Sequence, residues 1–397
     1  MKIRRRSMLA SIGVAMLALA LTASSTLALT WGSTTTISGP DVANAWPSGF
    51  VASGSRLFSA YRVLDGDGRH IEFRRSADGG ATFSDPVEIS RPEAVSSYQA
   101  ALAYSGGVLH VAWVEGTEAQ TPERGFYRRS TDGGVTWSDP IALTPTAVES
   151  VTSPRVFASG SRVFFTYTDG VTGQIWIKRS TDGGVTFATR KAVATTTRRG
   201  FAGSEVRDAR ATMAFGTGVI YVVYRSSDHG VRLRRSTDAG GSWKPSVSVS
   251  SRVYSDPTIA ATGESAVIAY SYFDGTTNEY AAIRRTSNRG STWGARRRVS
   301  SGTSAPATDA FVIRADGRWR ITYLRCSSSA CDLSALWYRS SRDGVTWSTA
   351  QRFTASRAVM RQIGLGYTSS TKQVWAGWLA GADPAASDFT IYARGGG

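Results

Sequence analysis

The 397-residue chain holds 46 Lys and Arg against 30 Asp and Glu, a formal net charge of +16, with 11% aromatic residues, 41 glycines, two cysteines and three histidines. His70, His110 and His229 lie far apart and there is no Cys/His cluster, which excludes a zinc site and a histidine-based triad. A cationic surface favours anionic partners such as acidic polysaccharide or wall polymer; no nucleic-acid-binding motif accompanies it.

In chain order, residues 1–28 come first: a basic start, an apolar run from Met8 to Ala23 and a small-residue end. This reads as a secretory signal, and the run is shorter than the ~20 residues of a membrane span. Residues 29–397 follow as one domain with no second apolar span, expected outside the cytoplasm as a monomer. Without Lys2, Arg4, Arg5 and Arg6 the formal charge falls to +12. Arg5 and Arg6 leave Sec and twin-arginine export both open.

From residue 76 a box recurs: SADGGATF (76–83), STDGGVTW (130–137), STDGGVTF (180–187), STDAGGSW (236–243), TSNRGSTW (286–293) and SSRDGVTW (340–347). The closing aromatics are spaced 54, 50, 56, 50 and 54 residues apart. A fixed period of this length marks a repeat architecture. Each interval contains four short runs rich in β-branched and aromatic residues, separated by turn signals, which predicts one four-stranded antiparallel blade per period. The second of these runs ends in an aromatic seven times: Tyr61, Trp113, Tyr167, Tyr224, Tyr270, Tyr323 and Trp378.

Six boxes and seven such runs are reconciled at the chain ends. TWGSTTTIS (30–38) reads as the tail of a box with its following strand, and Trp31 lies 52 residues before Phe83. The last stretch, MRQIGLGY, QVWAGW and DFTIYAR, stops one strand short. The N-terminal strand is therefore expected to complete the last blade of a seven-bladed β-propeller. A six-bladed ring is the alternative.

Within the box, Asp78, Asp132, Asp182, Asp238 and Asn288 can accept hydrogen bonds from a tight turn, glycine supplies positive φ, and the aromatic buries a ring. One carboxylate per box, like DGDG at 65–68, makes a poor calcium loop. No metal or other cofactor is called for. Ten arginines and Lys178 stand ahead of the boxes, which spreads positive charge around the molecule. Cys326 and Cys331, in RCSSSACD between two strand-like runs, are expected to form a disulfide in an oxidising compartment.

The boxes resemble the Asp-box, or BNR, repeats best known from sialidases. That resemblance implies that they join third and fourth strands on the face away from an active site. Function then belongs to the opposite rim, where Trp46, Gln99, Arg155, Asp208 with Arg210, Asp256, Asp309 and Arg361 begin the innermost strands. This ring reads either as channel-filling salt bridges or as a site for a polar, anionic ligand, for which arginine forks suit carboxylates. Arg155, Arg210, Arg225, Asp256, Asp309 and Arg361 are the candidate ligand-binding residues.

Glu205 and Arg225 loosely match a glutamate and arginine that sialidases carry on one blade. Glu205 and Asp208 are the catalytic candidates if the chain is an enzyme. The departures are plain: AWPSGF stands where a sialidase has its first arginine, Arg62 in YRVL ends a second strand, and no tyrosine is assignable as nucleophile. The expected function is recognition of a glycan or anionic extracellular polymer. The alternatives are a sialidase-like exo-glycosidase and a protein-binding scaffold.

Overall fold

A computed structural model of the chain describes residues 31–396 apart from 39–45, 66–67, 93, 95, 117–123, 146–149, 197–210, 227, 254, 276–278, 301–304, 329–332, 357–358 and 382–389. The described residues contain strands and turns and no helix. β1 (Trp31–Thr36) precedes β2 (Trp46–Ser53), β3 (Arg56–Asp65), β4 (Gly68–Ser76) and β5 (Val87–Glu88). Next come β6 (Ser96–Ser105), β7 (Val108–Gly116), β8 (Arg124–Ser130) and β9 (Ile141–Ala142), then β10 (Val151–Ser159), β11 (Arg162–Asp169), β12 (Gln174–Ser180) and β13 (Lys191–Thr195). β14 (Thr212–Gly216), β15 (Val219–Arg225), β16 (Val231–Ser236) and β17 (Val247–Ser250) lead to β18 (Thr258–Thr262), β19 (Ser265–Phe273), β20 (Glu279–Thr286) and β21 (Arg297–Arg298). The chain closes with β22 (Ala307–Ala315), β23 (Arg318–Cys326), β24 (Ser334–Ser341), β25 (Gln351–Arg352), β26 (Val359–Thr368), β27 (Gln373–Gly381) and β28 (Thr390–Gly396).

Consecutive strands pair antiparallel into four-stranded sheets. β2 to β9 form one eight-stranded sheet in which a single parallel pairing, Arg69 with Ser96, joins two such sets. β26, β27 and β28 take their fourth strand from the other end of the chain: β1 lies beside β28, with Thr34 opposite Arg394 and Thr36 opposite Tyr392. The first strands touch in succession, β2 to β6, β6 to β10, β10 to β14, β14 to β18, β18 to β22 and β22 to β26, and β26 returns to β2.

The cores lie in the seams between neighbouring sheets, as expected when a twisted sheet buries both faces. Between β2–β5 and β6–β9, for example, Phe58, Ile71 and Phe73 pack against Leu109, Val111 and Trp113. The closing seam holds Ile37, Phe50, Leu57 and Trp375. The recurring aromatics Tyr61, Trp113, Tyr167, Tyr224, Tyr270, Tyr323 and Trp378 lie within the second strands, one to four residues before their ends, and are all buried.

The boxes join third to fourth strands, and local hydrogen bonds explain their composition. In 130–137, the Asp132 carboxylate accepts from Ser130 Oγ at 2.7 Å, from the Val135 and Thr136 amides at 3.0 Å and from Thr136 Oγ1 at 2.5 Å. Hydrogen bonds from the Thr136 and Ser130 side chains and the turn amides hold this carboxyl well below the usual range. The same pattern holds for Asp78, Asp182 and Asp238, and Asn288 bonds Thr292 in their manner.

The arginines ahead of the boxes act across the seams. Arg75 Nη1 donates to Gly133 O of the next box at 3.3 Å, Arg179 to Ala239 O at 3.1 Å and Arg235 to Arg289 O at 2.7 Å. Arg284 instead donates to Gly294 O of its own box tail and to Val249 O of the preceding sheet. Arg394 repeats that geometry at the chain ends, with Nε on Gly32 O at 2.6 Å and Nη1 on Phe353 O at 2.9 Å. Gly32 thus occupies the place of a box-tail glycine.

Candidate functional site

Each box lies beside the turn between first and second strands: the amide of Gly79 donates to Ser55 O at 2.9 Å and that of Gly183 to Ser161 O at 2.8 Å. The starts of the innermost strands and the hairpins joining second to third strands lie at the other end of each sheet. Here β2, β6, β10, β22 and β26 share an irregularity that β14 and β18 lack. Register shifts fall between Pro47 and Gly49, Tyr98 and Ala101, Thr152 and Arg155, Thr308 and Phe311, and Gln362 and Gly364. Gln99, Ser153 and Asp309, at φ of +42°, +52° and +49°, sit in three of them. A bulge inserts one residue, re-aims its side chain and ends regular pairing; such devices cluster near functional sites.

The bulges are stitched across the seams. Gln99 Oε1 accepts from the Ser153 amide at 2.7 Å. Thr258 Oγ1 donates to Ala310 O at 3.0 Å and accepts from the Val312 amide at 3.1 Å, and Thr212 Oγ1 donates to Pro257 O at 2.9 Å.

Arg155 follows the β10 bulge, half-buried, opposite Thr166. Arg225 ends β15 opposite Val231 and is half-buried, as is Asp256, two residues before β18. Asp309 is exposed on the β22 bulge. The backbones of Arg361 and Trp46 pair with Leu379 and Arg62, and their side chains lie outside the description. Glu205, Asp208 and Arg210 lie outside the described residues.

Two groups that the sequence reading did not select stand out. Glu279 opens β20 at this rim, half-buried, opposite Phe273, and β20 touches β22 across the seam. Burial, and then the negative charge of Asp309, push its carboxyl up to about 7. Arg69 is the second residue of β4, and its Nη1 donates to Tyr98 Oη at 3.3 Å and Ser96 Oγ at 3.5 Å, both on β6. Nothing in NEYAAIRR or GRHIEF distinguishes Glu279 or Arg69 from ordinary strand-opening polar residues. Their partners come from the next sheet.

No protein-family model matches the chain, and no curated protein does. Among solved structures it is similar to an ulvan lyase, a polysaccharide lyase, at 11% identity over 88% of this chain and 93% of that chain, with a TM-score of 0.58. It is similar to the α-L-arabinofuranosidase of Fusarium graminearum at 13% identity, covering 92% of this chain and 97% of that one, with a TM-score of 0.53. A sialidase from Streptococcus pneumoniae matches at 12% identity over 73% of this chain and 66% of that one, with a TM-score of 0.50. Identities this low speak for the fold alone. The fold is a sialidase-like β-propeller.

Proposed function

We infer that the chain is a secreted Asp-box propeller of seven blades whose rim opposite the boxes recognises a glycan or an anionic extracellular polymer. The observation that carries this reading is the contrast between the two ends. At one end the box carboxylates are engaged by their own turns; at the other, bulges hold Gln99, Ser153 and Asp309 at left-handed φ, with Arg155 two residues after Ser153 and the charge of Asp309 acting on Glu279. The repeat spacing, the pairing of β1 with β28 and the return of β26 to β2 support seven blades. Similar solved structures that act on polysaccharide, arabinofuranoside and sialoside lend the glycan reading support by analogy of fold.

Binding to a panel of acidic and neutral polysaccharides and wall polymers checks it. Saturable binding that weakens as salt rises is expected, reduced by Arg155→Ala or Arg225→Ala. Absence of binding across the panel would refute it. For the secreted compartment, Cys326 is buried at the end of β23 and Cys331 lies outside the described residues. Titration of the unfolded, unreduced chain is expected to find no free thiol; two thiols would remove the disulfide.

A glycosidase reading is favoured by one specific feature, the carboxyl of Glu279, which near pH 7 is suited to hold a proton for a leaving group. A carboxyl whose pKa is higher in the folded chain than in the unfolded one stabilises the fold below about pH 4.5 and loses that contribution as pH rises through about 7. Melting temperature should therefore fall across this window more steeply in the native chain than in Glu279→Gln. Parallel curves would show Glu279 to be ordinary. Fluorogenic glycosides test turnover, with Glu205→Gln and Asp208→Asn beside Glu279→Gln; a substitution that leaves turnover unchanged removes its residue from the mechanism.

A further inference from the structure

One position recurs on the box side of every seam. The residue three before each recurring aromatic of the second strands is Phe58, His110, Phe164, Tyr221, Val267, Arg320 or Trp375, and all seven are buried. Three of the rings lie against a box glycine of the next sheet, Phe164 on Gly240, Tyr221 on Gly290 and Trp375 on Gly80. His110 and Arg320 break the apolar pattern. Arg320 donates to Ala315 O and lies 4.2 Å from the Tyr367 ring centroid, and an arginine keeps its charge at every pH a fold meets. His110 alone of the seven can change charge between pH 4 and 7.

His110 is 1% exposed and alternates along β7 with Ala112 and Val114, which pack against Val151, Val156 and Val163 of the next sheet. Its Nδ1 lies 2.7 Å from Tyr127 Oη, and its Nε2 is buried with no hydrogen-bond partner among the described residues. Protonation makes both ring nitrogens donors, which leaves a charged N–H without an acceptor. The neighbouring charges do not offset that cost. Across the strands His110 stands opposite Ala103 on β6 and Arg129 on β8. The next sheet brings Val156, Ala158 and Val163, and its box brings Asp182, whose charge acts on Tyr127 and whose carboxylate is held by Ser180 and Thr186. Burial, then the charge of Arg129, pull His110 from the ordinary 6.5 to about 4.

We propose that the seam between β6–β9 and β10–β13 is an acid-sensitive joint, which parts before the other seams because opening lets water reach the protonated His110. Tyr127 is the connection that yields: it lies against Gly184 and meets Phe187 edge-on at 5.0 Å. The rim end of the same seam carries the bond from the Ser153 amide to Gln99 Oε1, two residues before Arg155, so an opening here reaches the rim whether or not the rim binds a glycan. The folded value lies below the unfolded one. Stabilisation by the neutral ring is therefore complete above about pH 6.5 and is lost as pH falls toward about 4, and over that window the opened population should rise by up to about tenfold per pH unit.

Hydrogen exchange of the full-length chain at pH 7 and pH 5, expressed as protection factors to remove the intrinsic effect of pH, tests the joint. Protection should fall about tenfold or more in β7, β8 and β10 and change little in β14–β17, behind the Phe164 layer. His110→Phe, which supplies the ring found at positions 58 and 164, should abolish that loss, and its melting temperature should fall less steeply than that of the native chain from pH 7 to 4. His110→Gln, neutral throughout, gives the same comparison if the phenylalanine does not fit. An unchanged seam, a loss spread evenly over all sheets, or a loss that persists in the variants overturns the joint. So does an NMR titration of the native chain that places the His110 imidazole at about 6 or above.

Discussion

Gly184→Ala is expected to destabilise the fold by about 3 kcal/mol or more, whereas Gly183→Ala, one residue earlier in the same turn, should cost about 1 kcal/mol. Both glycines have left-handed backbone, with φ of +73° at Gly183 and +84° at Gly184, so both substitutions carry the steric cost of a Cβ there. Their surroundings differ. A Cβ on Gly183 meets nothing nearer than Arg129 Nη1 at 3.9 Å, while one on Gly184 would lie 1.9 Å from Tyr127 Oη. Tyr127 cannot retreat easily: it is fully buried, its hydroxyl is 2.7 Å from His110 Nδ1, and its ring meets Phe187 edge-on at 5.0 Å. Burial, then the charge of Arg129, pull His110 down to about 4, so the pair is neutral at neutral pH. Denaturant unfolding of the two variants checks this. Equal losses would mean that the turn conformation alone requires these glycines, with no contribution from the seam.

Removing residues 1–38 should cost about 3 kcal/mol or more and leave a chain that self-associates, even though the first described strand is only six residues long. The truncation deletes fully buried Ile37, strips β28 of its hydrogen-bonded neighbour, and takes away Gly32 O from Arg394 and the bond from Thr35 Oγ1 to Gly80 O. An exposed strand edge invites pairing with another chain. Size-exclusion chromatography with calorimetry should show a lowered melting temperature and larger species, and a synthetic peptide spanning residues 30–38 should restore both by strand addition. A truncated chain that melts like the full one would show that β1 is not needed to close the molecule.

How far the fold could be read from the sequence is clearest at TWGSTTTIS. It matches TWSDPIALT (136–144), a box tail followed by a fourth strand, and Arg394 treats Gly32 as Arg284 treats Gly294. The arginines before the boxes were legible as a recurring charge. Their reach to the next box was not, because a guanidinium spanning two sheets leaves no trace in the spacing of its own strand. The rim was read less well. Gln99, Arg155 and Asp309 could be assigned to the starts of innermost strands, but the bulges at 99, 153 and 309 have no sequence signal: a single inserted residue changes which way a side chain faces without altering composition.

By itself the sequence determined the repeating unit: a turn closed by Ser, Asp, Gly and Thr within eight residues, strands patterned between turns, and a first strand matching the missing last one. These are local interactions, and local interactions repeat when the letters repeat. Only the tertiary structure decided which charges meet. Glu279 is pushed toward neutrality by burial and then by the charge of Asp309 from the adjoining sheet, and Arg69 of β4 reaches Tyr98 on β6. The energy of such groups depends on burial and on neighbours remote in the chain, and both are fixed only when the sheets pack.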